Sequence, residues 1–297
     1  MNDIPSLKLN TGISMPCVGL GVLDRANRDA TASAVEAAIA AGYRLIDTAA
    51  SYLNEQEVGE GLARSGVPRS ELFVTTKVWM TDYGADKTLR AFDASLRRLS
   101  LDYVDLYLLH WPVPSDFEAT ITAYKALEKL LAEGRVRAIG VSNFGAAHLR
   151  TLMERTDIVP AVNQVELNPS FQQRELRKAN EQFGVVTQAW SPIGGGFRRS
   201  AVQASGDDPI GNPVIAGLAD KHGRTPAQVI LRWHIQNGVA VIPKSFNPNR
   251  IAENIDLFGF ELPAEDMAAI DALDKGVRTG PDPETTTAAT FGIVIEV

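Results

Sequence analysis

The chain has 297 residues, of which 45% are hydrophobic and 22% are charged, so it is a globular protein long enough to bury a sizeable core. Its net charge of -7 argues against a general affinity for nucleic acid or for an anionic membrane surface. Cys17 is the only cysteine, which excludes an internal disulfide and a metal site built from cysteines. No signal peptide and no apolar stretch of roughly 18 residues is visible, so we expect a cytoplasmic protein.

Strand-like and helix-like segments alternate along the chain. A small hairpin is predicted first, around the turn Asn10-Thr11-Gly12. The predicted strands are Val18 to Gly21, Leu45 to Thr48, Leu72 to Lys77, Val104 to His110, Val136 to Val141, Ala161 to Gln164, Val185 to Ala189 and Val239 to Ile242. The predicted helices are one capped by Asp29, then Asn54 to Arg64, Gly84 to Leu99, Phe117 to Ala132, Ala146 to Arg155, Gln172 to Phe183, a longer region ending near Asn237, Asn247 to Phe258 and Pro263 to Leu273.

The spacing of these strands favours an eightfold barrel. From Gly21 to Trp190, the residues at the strand ends follow one another at about 22 to 33 residues, which suits roughly 250 residues divided by eight, and the larger gap before Lys244 implies an inserted loop. A doubly wound sheet would alternate in the same way but usually carries GxGxxG after its first strand, and GLGVLD lacks that fingerprint. We therefore predict an α/β fold, a (β/α)8 TIM barrel with an N-terminal β-hairpin and C-terminal substrate loops. We expect one domain over 1–297, with a tail over 276–297.

Polar and aromatic side chains are predicted on one rim of this barrel, at the carboxyl ends of the strands, where such barrels carry their chemistry. Each has a structural explanation when taken alone, because an Asp can cap a helix, a Lys can extend to solvent and an Asn can start a turn. Together they indicate an active site. These residues are Asp47, Tyr52, Lys77, His110, Ser142, Asn143, Gln164, Trp190 and Lys244.

Seven segments resemble the motifs of the aldo-keto reductases, in the order and at the spacing of that family. They are GYRLIDTAASYLNE, VTTKVW, DYVDLYLLHWP, GRVRAIGVSNF, VNQVELNP, QAWSPIG and IPKSFNPNRIAENI. The resemblance extends to about Asp274 and is strongest to the bacterial 2,5-diketo-D-gluconate-reductase-like branch, whereas the tail after Gly280 departs from the pattern. It implies a monomer that reduces a small aldehyde or ketone, a dicarbonyl or keto sugar among the candidates, with NADPH.

The resemblance also implies a catalytic tetrad of Asp47, Tyr52, Lys77 and His110, and these residue types suit the chemistry. Hydride transfer to a carbonyl builds negative charge on its oxygen, so a proton donor and a positive neighbour are needed there. Tyr52 is the expected donor, and the Lys77 ammonium is expected to lower the pKa of that phenol. Asp47 would hold Lys77, and His110 would orient the carbonyl.

The cofactor residues implied by the resemblance fall into two groups. At the nicotinamide, Ser142, Asn143 and Gln164 would bind the carboxamide and Trp190 would stack on the ring, where tyrosine is commoner in the family. At the adenosine, positive side chains aimed at one phosphate favour NADPH over NADH. The residues implied there are Lys244, Ser245 and Arg250 at the 2'-phosphate, with Glu253 and Asn254 at the adenine.

Substrate specificity is less constrained by the sequence. Val22, Trp79 and Trp111 are implied as walls of an apolar pocket, whereas a single buried Trp233 is expected to pack in the core. Specificity is also expected from the loop Gly194 to Pro213, which carries Arg198 and Arg199, and from the tail. The apolar stretch Phe291 to Val297 either folds over the barrel mouth or packs against another subunit.

Three rival functions are weaker. Tyr83-x-x-x-Lys87 has the spacing of short-chain dehydrogenases, but the chain lacks their N-terminal glycine-rich loop. A metal-dependent barrel hydrolase is disfavoured because the histidines include no HxH pair, and we expect no metal. A nucleotide-sensing module with little turnover would keep the fold and the cofactor, and the intact tetrad argues against it. The four histidines are His110, His148, His222 and His234.

Overall fold

The computed structural model describes residues 4–25, 27–194 and 208–295, and a parallel sheet of eight strands organises them. An antiparallel hairpin precedes the sheet, with Leu7 opposite Met15. The hairpin strands are β1 (Ser6–Lys8) and β2 (Ser14–Pro16). The sheet strands follow in chain order: β3 (Leu20–Gly21), β4 (Leu45–Asp47), β5 (Phe73–Val78), β6 (Val104–Leu109), β7 (Val136–Ser142), β8 (Val162–Glu166), β9 (Val186–Trp190) and β10 (Ala240–Val241).

Helices connect these strands and cover the outside of the sheet. The one predicted to be capped by Asp29 begins later, because Arg28–Ala30 forms a 3-10 turn and the α-helix starts at Thr31. Within the described ranges, no helix has the length and apolar composition that a membrane span requires. The α-helices are Thr31–Ala40, Glu55–Arg64, Ala85–Leu99, Phe117–Ala132, Ala146–Met153, Arg174–Gln182, Pro213–His222, Pro226–Gln236, Pro248–Ile255, Ala264–Asp271 and Ala288–Phe291.

The sheet closes on itself, because its two outer strands, β3 and β10, meet. Parallel bridges join Val18 to Val241 and Gly21 to Lys244, and the Gly19 amide donates to the Val241 carbonyl at 2.8 Å. Position 21 must be glycine where the barrel closes, because a Cβ on Gly21 would lie only 2.7 Å from the Ile242 carbonyl oxygen. The predicted (β/α)8 barrel and its N-terminal hairpin are confirmed.

Alternation along the strands sends every second side chain into the barrel. Leu45, Phe73 and Leu108 belong to one buried apolar cluster inside it, and Leu9 and Met15 of the hairpin segment join that cluster. The lower half of the barrel is therefore filled with apolar side chains. Polar residues two or four positions further along the same strands then face the upper half, which positions the site described below.

An arginine-bound carboxylate stabilises the amino-terminal end of the barrel. Asp105 is fully buried, accepts hydrogen bonds from the Val74 amide and Arg69, and pairs with Arg137. Replacing Asp105 by Ala leaves these donors without their acceptor, so we expect the free energy of unfolding to fall by about 3 kcal/mol. Chemical denaturation measures this loss.

The matched control is Asp93→Ala, which removes the partner of Arg135 at a pair that is partly exposed on both sides. Exposed pairs contribute little, so this variant should lose less than about 1 kcal/mol. Equal losses in the two variants would contradict the role given to Asp105.

Candidate active site

A cleft of about 350 Å³ opens at the carboxyl ends of the strands. Asp47, Tyr52 and His110 line it, whereas Lys77 lies beneath them with no exposed surface. A larger open groove of about 790 Å³ lies beside the hairpin, at the other end of the barrel, and none of the tetrad residues lines it. The cleft at the carboxyl ends is therefore the candidate active site.

The Lys77 ammonium is bound on three sides. Its Nζ donates to Asp47 Oδ1 at 2.5 Å, to the Thr48 carbonyl at 2.8 Å and to the Tyr52 hydroxyl at 3.3 Å. Burial is the largest single influence and favours the neutral amine, but the Asp47 carboxylate and the Tyr52 hydroxyl together hold the pKa of Lys77 above its ordinary value. The structure thus keeps a positive charge in contact with the Tyr52 phenol.

The expected effect on the Tyr52 phenol is only partly right. Burial is the largest influence and raises the pKa of Tyr52 above that of a free phenol, while the nearby Lys77 ammonium acts to lower it and Asp47 to raise it. Lys77 therefore acts on the pKa of Tyr52 in the expected direction, but the net direction predicted from the sequence is wrong, because the loss of water around the hydroxyl is the larger influence and Asp47 adds to it.

His110 is held neutral beside the phenol. Burial lowers the pKa of His110 well below its ordinary value, and the positive charges of Lys77 and Arg25 add to this. The ring packs edge to face on Tyr52, at 5.7 Å between centroids, and its Nδ1 lies 3.4 Å from Ser51 Oγ. A neutral imidazole can donate or accept one hydrogen bond without competing for the proton of Tyr52.

A second group of polar side chains lines the opposite wall of the cleft. Ser142 Oγ donates to the Gln164 carbonyl at 2.8 Å, and Asn143 Nδ2 donates to the His110 carbonyl at 2.9 Å. Trp190 Nε1 donates to Asn143 Oδ1 at 2.9 Å, which fixes the indole at the rim. These four predicted cofactor residues share one surface, and all of them line the cleft.

Gln164 connects this wall to the tetrad. Its Nε2 donates to Asp47 Oδ2 at 2.7 Å and to Gln188 Oε1 at 2.8 Å, so both amide hydrogens are used. Its Oε1 is therefore the atom that can accept from a ligand. Asp47 thus orients two residues, Lys77 through one carboxylate oxygen and Gln164 through the other.

The residues predicted to bind the adenosine end lie beyond β10. Lys244 lines the cleft and pairs with Asp24 at 2.8 Å across its mouth. Ser245 is buried and accepts a hydrogen bond from the Asn247 amide at 3.1 Å, whereas Arg250 is exposed on helix Pro248–Ile255. Asn254, also on this helix, is buried. On the same helix, Glu253 accepts from Thr225 Oγ1 at 2.8 Å.

Aromatic side chains form the remaining wall. Trp79 packs edge to face on His110 at 5.1 Å, and Trp111, like Val22, also lines the cleft. Phe291 of the tail contacts both indoles, with centroid distances of 5.2 Å to Trp79 and 5.7 Å to Trp111. Of the two placements left open for the tail, this part of it folds over the barrel mouth.

Sequence reasoning missed several residues around this cleft. Arg25 and Ser51 line it, and Arg25 Nε donates to the Ser51 carbonyl at 3.1 Å. Phe291 was noted only as part of an apolar stretch, and Glu166 was not noted at all. The sequence positions of two of these residues could have indicated them, because Ser51 directly precedes Tyr52 and Glu166 ends a barrel strand. Arg198 and Arg199 lie outside the described residues.

The rival sequence signals have structural explanations. The Tyr83 hydroxyl donates to the Trp111 carbonyl at 2.6 Å and is buried, while Lys87 is exposed on helix Ala85–Leu99, so the two do not form a catalytic pair. Trp233 is buried as expected, and its Nε1 donates to Asp271. Among the residues that the structure describes, no cluster of His, Cys, Asp and Glu is arranged to hold a metal ion.

The neutral state of His110 predicts a dependence of stability on pH. Its ordinary pKa of 6.5 applies to the unfolded chain and is lowered in the folded one, so the unfolded state takes up a proton first as the pH falls. Below about pH 6.5, protonation of His110 in the unfolded chain should lower the free energy of unfolding by up to roughly 1.4 kcal/mol for each unit by which the pH falls. In His110→Asn, the slope of the free energy of unfolding against pH should be smaller by that amount between about pH 6.5 and pH 5, as measured by denaturation at each pH. Equal slopes for the variant and the wild type would contradict this prediction.

Comparison with known proteins agrees with this geometry. The chain is 55% identical to morphine 6-dehydrogenase of Pseudomonas putida, over 97% of both chains, and 48% identical to glyoxal reductase of Bacillus subtilis, over 94% of this chain and 96% of that one. Its fold matches the crystal structure of Bombyx mori aldo-keto reductase in complex with NADP, with a TM-score of 0.85 and 38% identity over 94% and 95% of the two chains. Residues 17–275 match the Aldo/keto reductase family, and the chain belongs to that family of oxidoreductases.

Proposed function

We propose that this protein reduces aldehydes or ketones to alcohols with NADPH, and that Tyr52 donates the proton. The observation that carries the proposal is the contact of the Tyr52 hydroxyl with the Lys77 ammonium at 3.3 Å, beside His110 in one cleft. Membership of the aldo/keto reductase family supports the reaction class. The names of the relatives, glyoxal reductase and morphine 6-dehydrogenase, support a small organic substrate.

The residues of the cleft fit a nicotinamide carboxamide. A primary amide needs both acceptors and donors, and Gln164 offers Oε1 because its two amide hydrogens are already used by Asp47 and Gln188. The Ser142 hydroxyl and the Asn143 amide line the same wall, and one of their present bonds, to the Gln164 carbonyl, the His110 carbonyl or Ser142 Oγ, would be exchanged for a bond to the carboxamide oxygen. The Trp190 indole at the same wall supplies an aromatic surface for the ring. When bound, NADPH supplies the hydride, which no side chain can provide.

The outer end of the cleft fits a phosphate. Lys244 and Arg250 are exposed cations, and Arg250 lies in the first turn of helix Pro248–Ile255. Asn247 caps that helix by accepting from the Asn249 and Arg250 amides. Positive side chains beside a helix N-terminus favour an anion, so this end suits the 2'-phosphate that distinguishes NADPH from NADH.

Each tetrad residue then has a distinct task. The Tyr52 hydroxyl transfers its proton to the substrate oxygen as negative charge develops there. The Lys77 ammonium stabilises the phenolate that Tyr52 becomes, and Asp47 keeps Lys77 charged and in place. The neutral His110 imidazole holds the substrate oxygen by a hydrogen bond.

The walls of the cleft favour a substrate with an apolar surface near its carbonyl group. Trp79, Trp111, Phe291 and Val22 exclude water from the reacting centre, which strengthens the electrostatic effect of Lys77. The 2,5-diketo-D-gluconate-reductase-like branch, with dicarbonyls and keto sugars as substrates, stays a prediction. So do the single domain over 1–297, the monomeric state and the cytoplasmic location.

The alternative of a nucleotide sensor is distinguished by turnover. NADPH oxidation would be followed by absorbance with a panel of aldehydes, dicarbonyls and keto sugars. We expect multiple turnovers with some of them, whereas a sensor would bind NADPH without consuming it. Tight binding of NADPH together with no turnover on the whole panel would overturn the proposal of a reductase.

The role of Tyr52 predicts a selective loss of catalysis. Tyr52→Phe removes the proton donor, so kcat should fall by about 10²-fold or more while the Kd for NADPH changes little. Steady-state kinetics and calorimetry give the two values. Tyr103→Phe is the matched control, because Tyr103 packs against Arg69 at the start of β6, at the opposite end of the barrel. A Tyr52→Phe variant as active as the control would exclude this donor.

The role of Arg250 predicts a change in cofactor preference. Arg250→Ala should weaken NADPH binding roughly tenfold, the effect of losing one charge-assisted hydrogen bond, and leave NADH binding unchanged. Arg64→Ala is the control, since Arg64 is an exposed helix arginine on the second helix of the chain. Calorimetry with both nucleotides measures the preference. An unchanged Kd for NADPH in Arg250→Ala would refute the assignment.

A further inference from the structure

A buried carboxylate holds the tail against the rim of the barrel. Glu166 ends β8 and is fully buried. Its Oε1 accepts from the Thr279 amide at 2.8 Å and from the Thr279 hydroxyl, and its Oε2 accepts from the Gly280 amide at 3.0 Å. The guanidinium of Arg278 lies 3.7 Å from Oε2 and above the Phe171 ring.

Within the described residues, every hydrogen bond and ion pair to the Glu166 carboxylate comes from the tail segment 278–280. A charged group without water is costly unless it is hydrogen-bonded, so the burial of Glu166 depends on the donors that the tail supplies. The tail is held in turn, because these bonds attach the Thr279 and Gly280 amides to a carboxylate that is itself fully buried. The contact therefore fixes the position of Gly280 closely.

Gly280 touches Trp190, the residue beside Glu166 in the barrel. Glu166 and Trp190 are register partners on β8 and β9, so their side chains leave the sheet side by side. A Cβ on Gly280 would lie 2.5 Å from Cη2 of the indole and 3.0 Å from Glu166 Oε2. No side chain fits there without moving the ring.

The indole is thus held at both ends. Its Nε1 donates to Asn143 Oδ1 at 2.9 Å, and its far edge meets the Gly280 backbone. A tyrosine, the commoner residue at this position by resemblance, has a shorter ring and would not need the same space. The requirement for glycine at position 280 therefore follows from the tryptophan at position 190.

We infer that Glu166 and Gly280 are positioning residues for the nicotinamide site. Glu166 holds the tail by hydrogen bonds, and Gly280, held in this way, sets the plane of the Trp190 indole. The inference rests on the proposed function, in which Trp190 stacks on the nicotinamide. It makes the tail part of the cofactor site as well as of the substrate pocket. Neither residue touches the reacting atoms, and both act through Trp190.

Two variants test the inference. In Gly280→Ala the new methyl group displaces the indole, and in Glu166→Gln an amide group faces the Thr279 and Gly280 amides, so one tail contact becomes repulsive. Both should weaken NADPH binding roughly tenfold in calorimetry. The fragment 2',5'-ADP lacks the nicotinamide, so its Kd should stay at the wild-type value. The controls are Gly217→Ala, where a Cβ meets no neighbour, and the exposed Glu60→Gln.

A double-mutant cycle identifies the indole as the element through which Gly280 acts. Combined with Trp190→Tyr, Gly280→Ala should cost little further NADPH affinity, because the shorter ring leaves space for the methyl group. The inference is overturned if both variants bind NADPH like the wild type, or if they lose NADPH and 2',5'-ADP equally, which indicates general damage. A wild-type protein that binds 2',5'-ADP but gains nothing from the nicotinamide half would instead contradict the proposed function.

Discussion

The burial of one charged side chain, Lys77, constrains the whole cleft. An ammonium without water is tolerated only when each of its protons finds an acceptor, and the barrel supplies Asp47, the Thr48 carbonyl and the Tyr52 hydroxyl. Asp47 needs partners for its second oxygen too, and Gln164 meets that need from the far side of the barrel. The same ion pair therefore orients the proposed proton donor and the proposed carboxamide site, so that chemistry and cofactor binding share one electrostatic centre.

The tail extends this coupling across the mouth of the barrel. At one end it is fixed to Glu166 and lies against Trp190, and at the other end Phe291 rests on Trp79 and Trp111. One segment thus contacts the proposed stacking residue and the aromatic wall of the proposed substrate pocket. We therefore expect a change in the tail to displace side chains on both sides of the proposed site, because packed side chains transmit displacements over short distances.

The pKa of Tyr52 shows where reasoning from residue types reaches its limit. A phenol beside an ammonium suggests a lowered pKa, yet in the folded chain burial is the largest influence on the pKa of Tyr52, and the Asp47 carboxylate also raises it. The sign depends on how much water each group loses and on every neighbouring charge. Those quantities are properties of the closed barrel, so no local motif contains them. The role proposed for the phenol does not depend on the sign of this shift, because a phenol of raised pKa still carries its proton at neutral pH.

The sequence alone determined the barrel fold and which side chains, Asp47 and Lys77 among them, point into its interior. Asp47 lies two positions after the inward Leu45, and Lys77 lies four after the inward Phe73, so the twofold period of a strand already directs both toward the same interior. Only the tertiary structure decided which distant residues meet them. The contact of Glu166 with Thr279 joins positions 113 residues apart. Local periodicity fixes the direction of a side chain, but partners so far along the chain are selected by the packing of the complete fold.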